Sequence, residues 1–361
     1  MSYIVPIGPY HPALEEPVHA RLYTDGEEIS RAEVFIGYNH RGIEKLAQQK
    51  NHIQTLVMVE RVCGICSHSH ALAYAMACES IAQMEVPKRG QYIRVITAEL
   101  ERLHSHYLWL GIALHIIGHD SLFMHTWDER ETIMDILEEV SGNRVNYGMV
   151  TIGGSRRDIS DETKTHILEM LDFIEKSNLR LRDILLADKT VALRTQGVGV
   201  LTTADSKRIG AVGPHARASN VPVDVRKDAP YSSYDDFDFN IAVWDSCDVF
   251  ARVVVRVLEN IESIKIIRQA LEMLPAGPVN LGLNKLPKIP AGEYMVRHEA
   301  PRGQLCYKVV SDGGQNPKRV SIHVPTFKNA PTVPTMLKGN SVADAGLIIA
   351  SIDPCFSCMD R

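Results

Sequence analysis

Cys63-Gly64-Ile65-Cys66 and Cys355-Phe356-Ser357-Cys358 are two Cys-x-x-Cys pairs near opposite ends of the sequence, and they use four of its 7 cysteines. A two-residue spacer lets two thiolates on one turn reach the same ion, or each other. Two such turns brought together make a four-sulfur site that exists only once the whole chain has folded. Structural zinc, an iron–sulfur cluster and a softer transition-metal centre all use four thiolates. Spacing alone puts zinc first. Zinc ribbons, however, hold both pairs within a few tens of residues, whereas these lie almost a chain apart. The first pair also runs straight into a helix, and a chain with a large core has little use for a zinc staple.

The neighbouring residues favour chemistry. Ser67-His68-Ser69-His70 follows Cys66 and places His70 one helical turn beyond a sulfur, where its ring can hydrogen-bond a thiolate from outside the ligand set. His68 reads as a satisfied structural histidine. Asp353 sets a carboxylate beside the second pair. Cys78, Cys247 and Cys306 have no partner at ligand spacing and read as packing residues, Cys247 on an apolar helical face.

These turns must be positioned by long helices. Ile93, Ile96, Leu100, Leu103, Tyr107, Leu110, Leu114 and Ile117 alternate spacings of three and four, the stripe of one buried helical face. Ile167, Leu171, Ile174, Leu181 and Leu185 mark a second helix behind an N-cap at Ser160, with Asp161 and Glu162 in its first turn. Cys247, Phe250, Val254, Val257, Ile261, Ile264 and Leu271 mark a third, stopped before Pro275. Three or four such helices predict an antiparallel bundle. Short β-like runs flank a Thr24-Asp25-Gly26 turn within residues 18–36, and similar runs flank Ser311-Asp312-Gly313-Gly314 within 305–327. Pro214, Pro222 and Pro230 predict an extended, ordered loop over 213–234. The expected fold is mainly α (α+β): one domain over 1–361, a central long-helix bundle with small β elements near the N- and C-terminal parts.

The bulk numbers set limits. The 361 residues are 45% hydrophobic and 23% charged, with a formal net charge of -5. That mild acidity gives no footprint for nucleic acid. No segment has the order of a signal peptide, and the apolar stretch Tyr107–Ile117 is interrupted by His115 and too short to span a bilayer. A soluble, intracellular chain is expected, and in a reducing compartment paired cysteines serve as metal or redox groups more often than as disulfides.

The string Glu60-Arg61-Val62-Cys63-Gly64-Ile65-Cys66-Ser67-His68-Ser69-His70, with Asp353-Pro354-Cys355-Phe356-Ser357-Cys358-Met359-Asp360-Arg361, resembles the large subunit of nickel–iron hydrogenases. The likeness is strongest to the energy-converting, membrane-bound, ferredoxin-linked group. Residues 8–17 (Gly-Pro-Tyr-His-Pro-Ala-Leu-Glu-Glu-Pro), Arg41-Gly42-Ile43-Glu44-Lys45, Glu299-Ala300-Pro301-Arg302-Gly303 and Val324-Pro325-Thr326 agree with it, so the resemblance covers nearly the whole chain. The cysteine motifs are its specific part. Gly213-Pro214-His215-Ala216-Arg217-Ala218-Ser219, Asp224-Val225-Arg226 and Pro230-Tyr231 also resemble the quinone-site subunit of respiratory complex I. That subunit has lost the metal-binding cysteines, and all four are present here.

The hydrogenase resemblance implies a nickel–iron centre with carbon monoxide and cyanide on the iron. Cys63 and Cys355 would be terminal nickel ligands, and Cys66 and Cys358 would bridge the two metals. Arg302, otherwise a surface arginine, and Thr326 would offer donors to cyanide, with Asp353 beside them. Cys355 would accept a proton and Glu16 would relay it, with Glu15 as the competing assignment. Glu44 aligns with a carboxylate that supports a magnesium ion in many relatives. Those relatives end their motif in histidine; Arg361 has no lone pair to offer a cation and is expected to pair with Glu44 instead. Many relatives also lose a C-terminal extension after nickel insertion, so a chain stopping at Arg361 is expected to be processed or never to have carried one.

The function implied is reversible proton reduction and dihydrogen cleavage, coupled to ferredoxin and ion translocation, and the alternative is a non-catalytic, complex-I-like scaffold with a structural four-cysteine site. The three remaining cysteines cannot build an iron–sulfur cluster. A small subunit carrying a [4Fe-4S] cluster, a ferredoxin-linked iron–sulfur subunit and integral membrane ion-translocating subunits are therefore implied partners. The expected location is peripheral, on the cytoplasmic face of the cell membrane.

Overall fold

The three-and-four spacing of apolar residues puts a continuous buried stripe on the Lys88–Ile116 helix, where Ile93, Ile96, Leu100, Leu103, Tyr107, Leu110 and Leu114 are all buried. The computed structural model describes residues 2–12, 14, 16–283 and 287–361. The Asp161–Ala187 helix begins where expected, with the Ser160 hydroxyl accepting the Thr163 N–H at 3.1 Å. Asp248 caps the Val249–Glu272 helix in the same way, accepting from Ala251 N at 2.8 Å. A fourth long helix, Asp120–Ser141, packs on Lys88–Ile116, and Val249–Glu272 packs on both Lys88–Ile116 and Asp161–Ala187. Their facing stripes make one continuous core. No helix among the described residues is long and apolar enough to cross a membrane.

Two three-stranded antiparallel sheets flank this mass. Strands β1 (Ser2–Ile7), β2 (His19–Asp25) and β3 (Glu28–Phe35) lie in that order, and the β2–β3 hairpin turns at Gly26, whose φ of 61° favours glycine. A short ladder joins β4 (Val150–Thr151) to β5 (Gly154–Ser155). Near the C-terminus, β6 (Ala291–Ala300), β7 (Gly303–Asp312) and β8 (Arg319–His323) form the second sheet. The Ser67–Ile81 helix packs against β6 and β7, and the four paired cysteines sit in the core made there.

Three expectations need correction. Residues 213–234 are not simply extended: they hold the short helices Gly213–Arg217 and Val225–Asp228, because Pro214 falls in a first helical turn, where proline is tolerated. Cys247 is not on a helical face; it precedes the Asp248 cap with a φ of 63° and is only half-buried. Cys306 is likewise half-buried, on β7, so of the three unpaired cysteines Cys78 alone is core.

A buried ionic network fixes the bundle against β6. Arg217 donates to Glu259 at 2.6 Å and Glu299 at 2.9 Å, while Arg226 pairs with Asp224 at 2.6 Å and Glu99 at 3.0 Å. Arg102 reaches Glu99 at 3.1 Å and donates to the Glu299 carbonyl at 2.6 Å. Burial opposes ionisation of Glu99 and Glu259, but their guanidinium partners prevail and hold both carboxyls well below the ordinary range. Depressed carboxyls stabilise the fold above the unfolded-state pKa, and that contribution fades as pH falls below about 4.3. Arg217→Met strands two buried carboxylates and should cost about 3–5 kcal/mol, read from the urea midpoint. An unchanged midpoint would show that the network carries no net stability.

Candidate metal centre

Each cysteine pair is built as a turn that starts a helix. After the His52–Glu60 helix the chain turns at 61–66, and Cys66 becomes the N-cap residue of Ser67–Ile81. The N–H groups of Ile65 and Cys66 point at Cys63 Sγ, at 3.2 and 3.4 Å. At the other end, the Ala345–Ser351 helix stops, Asp353 bends the chain with a φ of 54°, and Cys355 precedes the Phe356–Asp360 helix. Arg41 ties the two turns together, donating from Nη2 to the carbonyls of Val62 at 2.8 Å and Ser357 at 2.7 Å.

The four sulfurs converge. Cys66 and Cys358 lie 3.5 Å apart, Cys63 and Cys355 3.5 Å, and Cys355 and Cys358 3.0 Å, all in reduced, buried side chains. Thiolates tetrahedrally placed about 2.3 Å from one metal would stand about 3.8 Å apart, so the spacing is on the scale of shared metal ligation. The sulfurs of Cys63, Cys66 and Cys358 all lie within 4.8 Å of one another. Hydrogen bonds from Cys355, Cys358 and Cys66 draw the Cys63 thiol well below its usual pKa. Burial pushes Cys358 well above, and Cys66 and Cys355 are raised too. Holding all four as thiolates takes a polyvalent, soft cation, and the donor set fits one.

Around the sulfurs the expected residues take distinct places. His70 Nε2 lies 3.4 Å from Cys358 Sγ and its Nδ1 lies 2.6 Å from the Tyr307 hydroxyl. Burial keeps Tyr307 protonated and lowers His70 to about 4, so a neutral ring accepts from the phenol and points its N–H at sulfur. Arg302 leaves the β6–β7 turn to meet Asp353 twice, through Nη2 to Oδ1 at 2.7 Å and Nε to the carbonyl at 2.9 Å. Its Nη1 is buried without a hydrogen-bond partner among the described residues, a spare donor beside the sulfurs. That turn passes so close to residue 213 that a Cβ on Gly303 would stand 2.8 Å from the Gly213 Cα. The Thr326 hydroxyl accepts the Cys355 N–H at 3.0 Å and keeps its own proton to donate.

Glu16 reaches the second turn directly. Its carboxylate accepts from the N–H groups of Phe356 and Ser357, the latter at 3.1 Å, and from the Ser357 hydroxyl. Glu15 lies outside the described residues. Glu44 is placed differently from a metal ligand. It accepts from Arg361 Nε at 3.0 Å, Arg319 Nη2 at 3.1 Å and the Ile322 N–H at 2.9 Å. Two guanidinium groups and an amide engage both carboxylate oxygens, and a set with two positive charges already in place does not fit a magnesium ion.

Sequence reasoning missed the roles of Arg41, Tyr307 and Ser357, although Arg41 and Ser357 lie inside segments it singled out. It also missed Arg256, whose guanidinium stacks 3.8 Å from the Trp109 ring centroid and 3.9 Å from Asp353 Oδ2. Nothing local marks such partners, since each meets the site only through the fold.

Two family profiles match the chain: "Nickel-dependent hydrogenase" over residues 41–117, and "Respiratory-chain NADH dehydrogenase, 49 Kd subunit" over 117–286 and 282–361. The chain is 43% identical to the carbon monoxide-induced hydrogenase of Rhodospirillum rubrum, covering 100% of this chain and 99% of that protein. It is 42% identical to the membrane-bound hydrogenase subunit alpha of Pyrococcus furiosus, covering 99% and 87%. Among solved structures, a chain of the membrane-bound sulfane sulfur reductase, an archaeal respiratory membrane complex, superposes with a TM-score of 0.94 at 32% identity, covering 100% and 98%.

The Glu44 clamp predicts a measurable looseness when cut. Glu44→Ala removes the shared acceptor of Arg319, Arg361 and Ile322, and should speed alkylation of Cys358 in metal-free protein about tenfold. Magnesium found bound at Glu44 in the unaltered protein would contradict the clamp.

Proposed function

The chain belongs to the family that joins nickel–iron hydrogenase large subunits to the 49-kDa subunit of respiratory NADH dehydrogenase, in its membrane-bound energy-converting branch, and we propose that it is the catalytic subunit of such a hydrogenase. The observation that carries this reading is the pairing of sulfurs across the two turns, Cys63 with Cys355 and Cys66 with Cys358, each at 3.5 Å. Cys63 and Cys355 would hold nickel, and Cys66 and Cys358 would be shared with iron. When bound, the nickel–iron pair with carbon monoxide and cyanide on iron supplies the electron-accepting, Lewis-acidic centre for heterolytic cleavage of dihydrogen. Arg302 Nη1 and the Thr326 hydroxyl would donate to the cyanides, and Asp353 holds Arg302 in place. His70 would steady the charge on Cys358 through its N–H.

Cys355 Sγ would take the proton released on cleavage. Glu16 would receive it, since its carboxylate is hydrogen-bonded to the residue that follows Cys355. From there the Ser357 hydroxyl, in contact with Glu16 and only partly buried, opens a way outward. Electrons need a partner. Cys78 is buried in a helix against His52, Cys247 lies beside Asp245, and Cys306 is on β7, so the three hold no second cluster together. A small subunit with a [4Fe-4S] cluster, a ferredoxin-linked subunit and membrane subunits that move ions would complete the assembly. The chain would then sit peripherally on the cytoplasmic face, as one domain over 1–361.

The 49-kDa profile over the larger part of the chain favours a second reading: a complex-I-like scaffold whose four cysteines hold structural zinc. Metal analysis of the purified complex separates them. One nickel and one iron per chain, with infrared bands of iron-bound carbon monoxide and cyanide, are expected; zinc alone would sink the hydrogenase reading. Cys66→Ser or Cys358→Ser should abolish hydrogen turnover. Glu16→Gln should retain both metals yet slow hydrogen–deuterium exchange about a hundredfold or more, the usual weight of a general acid–base group. Full exchange activity in that variant would remove Glu16 from the proton route.

A further inference from the structure

A helix begins with N–H groups that have no partner inside it, and a capping side chain normally takes those of the second and third residues. The Ser67–Ile81 helix cannot be capped that way. Its N-cap residue is Cys66, whose sulfur is turned to the metal centre, and it makes no capping hydrogen bond. The missing cap comes from another helix. Glu101, fully buried on Lys88–Ile116, accepts the His68 N–H on Oε2 at 2.6 Å and the Ser69 N–H on Oε1 at 3.0 Å. It also accepts the Ser69 hydroxyl, and that oxygen lies 2.9 Å from His298 Nε2.

The grip is broader than one carboxylate. His104, one turn further along the same helix, places Nε2 3.0 Å from the Ile65 carbonyl, between the two cysteines. The Arg94 carbonyl, two turns before Glu101, lies 3.0 Å from His68 Nε2. Residues 94, 101 and 104 fall on one helical face, and that face lies along the first cysteine turn. Burial raises the Glu101 carboxyl to about 8, and the hydrogen bonds it accepts from Ser69 and His68 oppose that rise.

We propose that Glu101 is the positioning residue of the Cys63–Cys66 turn, serving as a cap in trans so that Cys66 is released for metal. The proposal rests on the paired cysteines being a metal site, not on which metal fills it. Cutting this cap should loosen one turn and leave the other alone. In the full-length chain stripped of metal, Glu101→Ala should raise the alkylation rates of Cys63 and Cys66 about five- to tenfold, the weight of a lost N-cap, while Cys355 and Cys358 are unchanged. Glu101→Gln, which keeps one acceptor oxygen and the shape, should fall between. Glu79→Gln, altering another buried carboxylate on the same helix as Cys66, should leave the ratio between the two turns as it is. In metal-loaded protein Glu101→Gln should speed release of the bound metal to a chelator.

Equal acceleration at all four cysteines, or none in both Glu101 variants, overturns the proposal. If Glu101→Ala does not fold, the ratio in Glu101→Gln decides alone. The alkylation arm needs no metal, so zinc in place of nickel and iron would defeat the hydrogenase reading and leave this test standing.

Discussion

The structure depends on closing four sulfurs from the two ends of the chain into one buried space. Such a closure leaves thiols too crowded to ionise together and too buried to reach water, so the scaffold must hold them facing each other against their own repulsion. Each turn is therefore held by groups outside it. Arg41 bridges the carbonyls of both turns, Glu16 and Thr326 take the N–H groups of the second, and Glu101 takes those that follow the first. These holders are charged or hydroxylic because backbone donors and acceptors near the sulfurs have no regular ladder to join.

A second layer keeps the holders in place. Glu101 and His104 share the Lys88–Ile116 helix with Glu99 and Arg102, which belong to the buried ionic network. That network reaches β6 through Glu299, three residues before Arg302. The helix that grips the first turn and the strand that delivers Arg302 are thus locked to one another by ion pairs that water does not screen. The network limits how far Arg302 can move relative to Glu101.

How much of this was legible in the sequence follows from the range of each signal. The long helices announced themselves because periodic burial repeats within the element, and the Ser160 cap needs only its own next three residues. The cysteine pairs were legible because a ligand turn is local. β6 was not: its first five residues are exposed and carry no alternation. β1 pairs only with β2 across a connection of eleven residues and gave no hairpin signal. Glu101 carries no local mark, since its three donors come from a different helix. The pairing of Glu44 with Arg361 was legible, because a donor-only side chain at a position where relatives supply a lone pair has few other uses.

That last exchange illustrates how the site and the scaffold separate. The Arg361 guanidinium takes the Glu44 carboxylate at 3.0 Å and so anchors the C-terminal turn from which Cys358 comes. The ionic network likewise contains no cysteine, so its stability does not wait on metal. A scaffold whose buried carboxylates are held by arginines of the same network draws none of that stability from the sulfur ligands. What the sulfur-bearing form needs in addition is a way to begin a helix at Cys66 without using the cysteine as its cap. Glu101 meets that need from the neighbouring helix, through the N–H groups of His68 and Ser69.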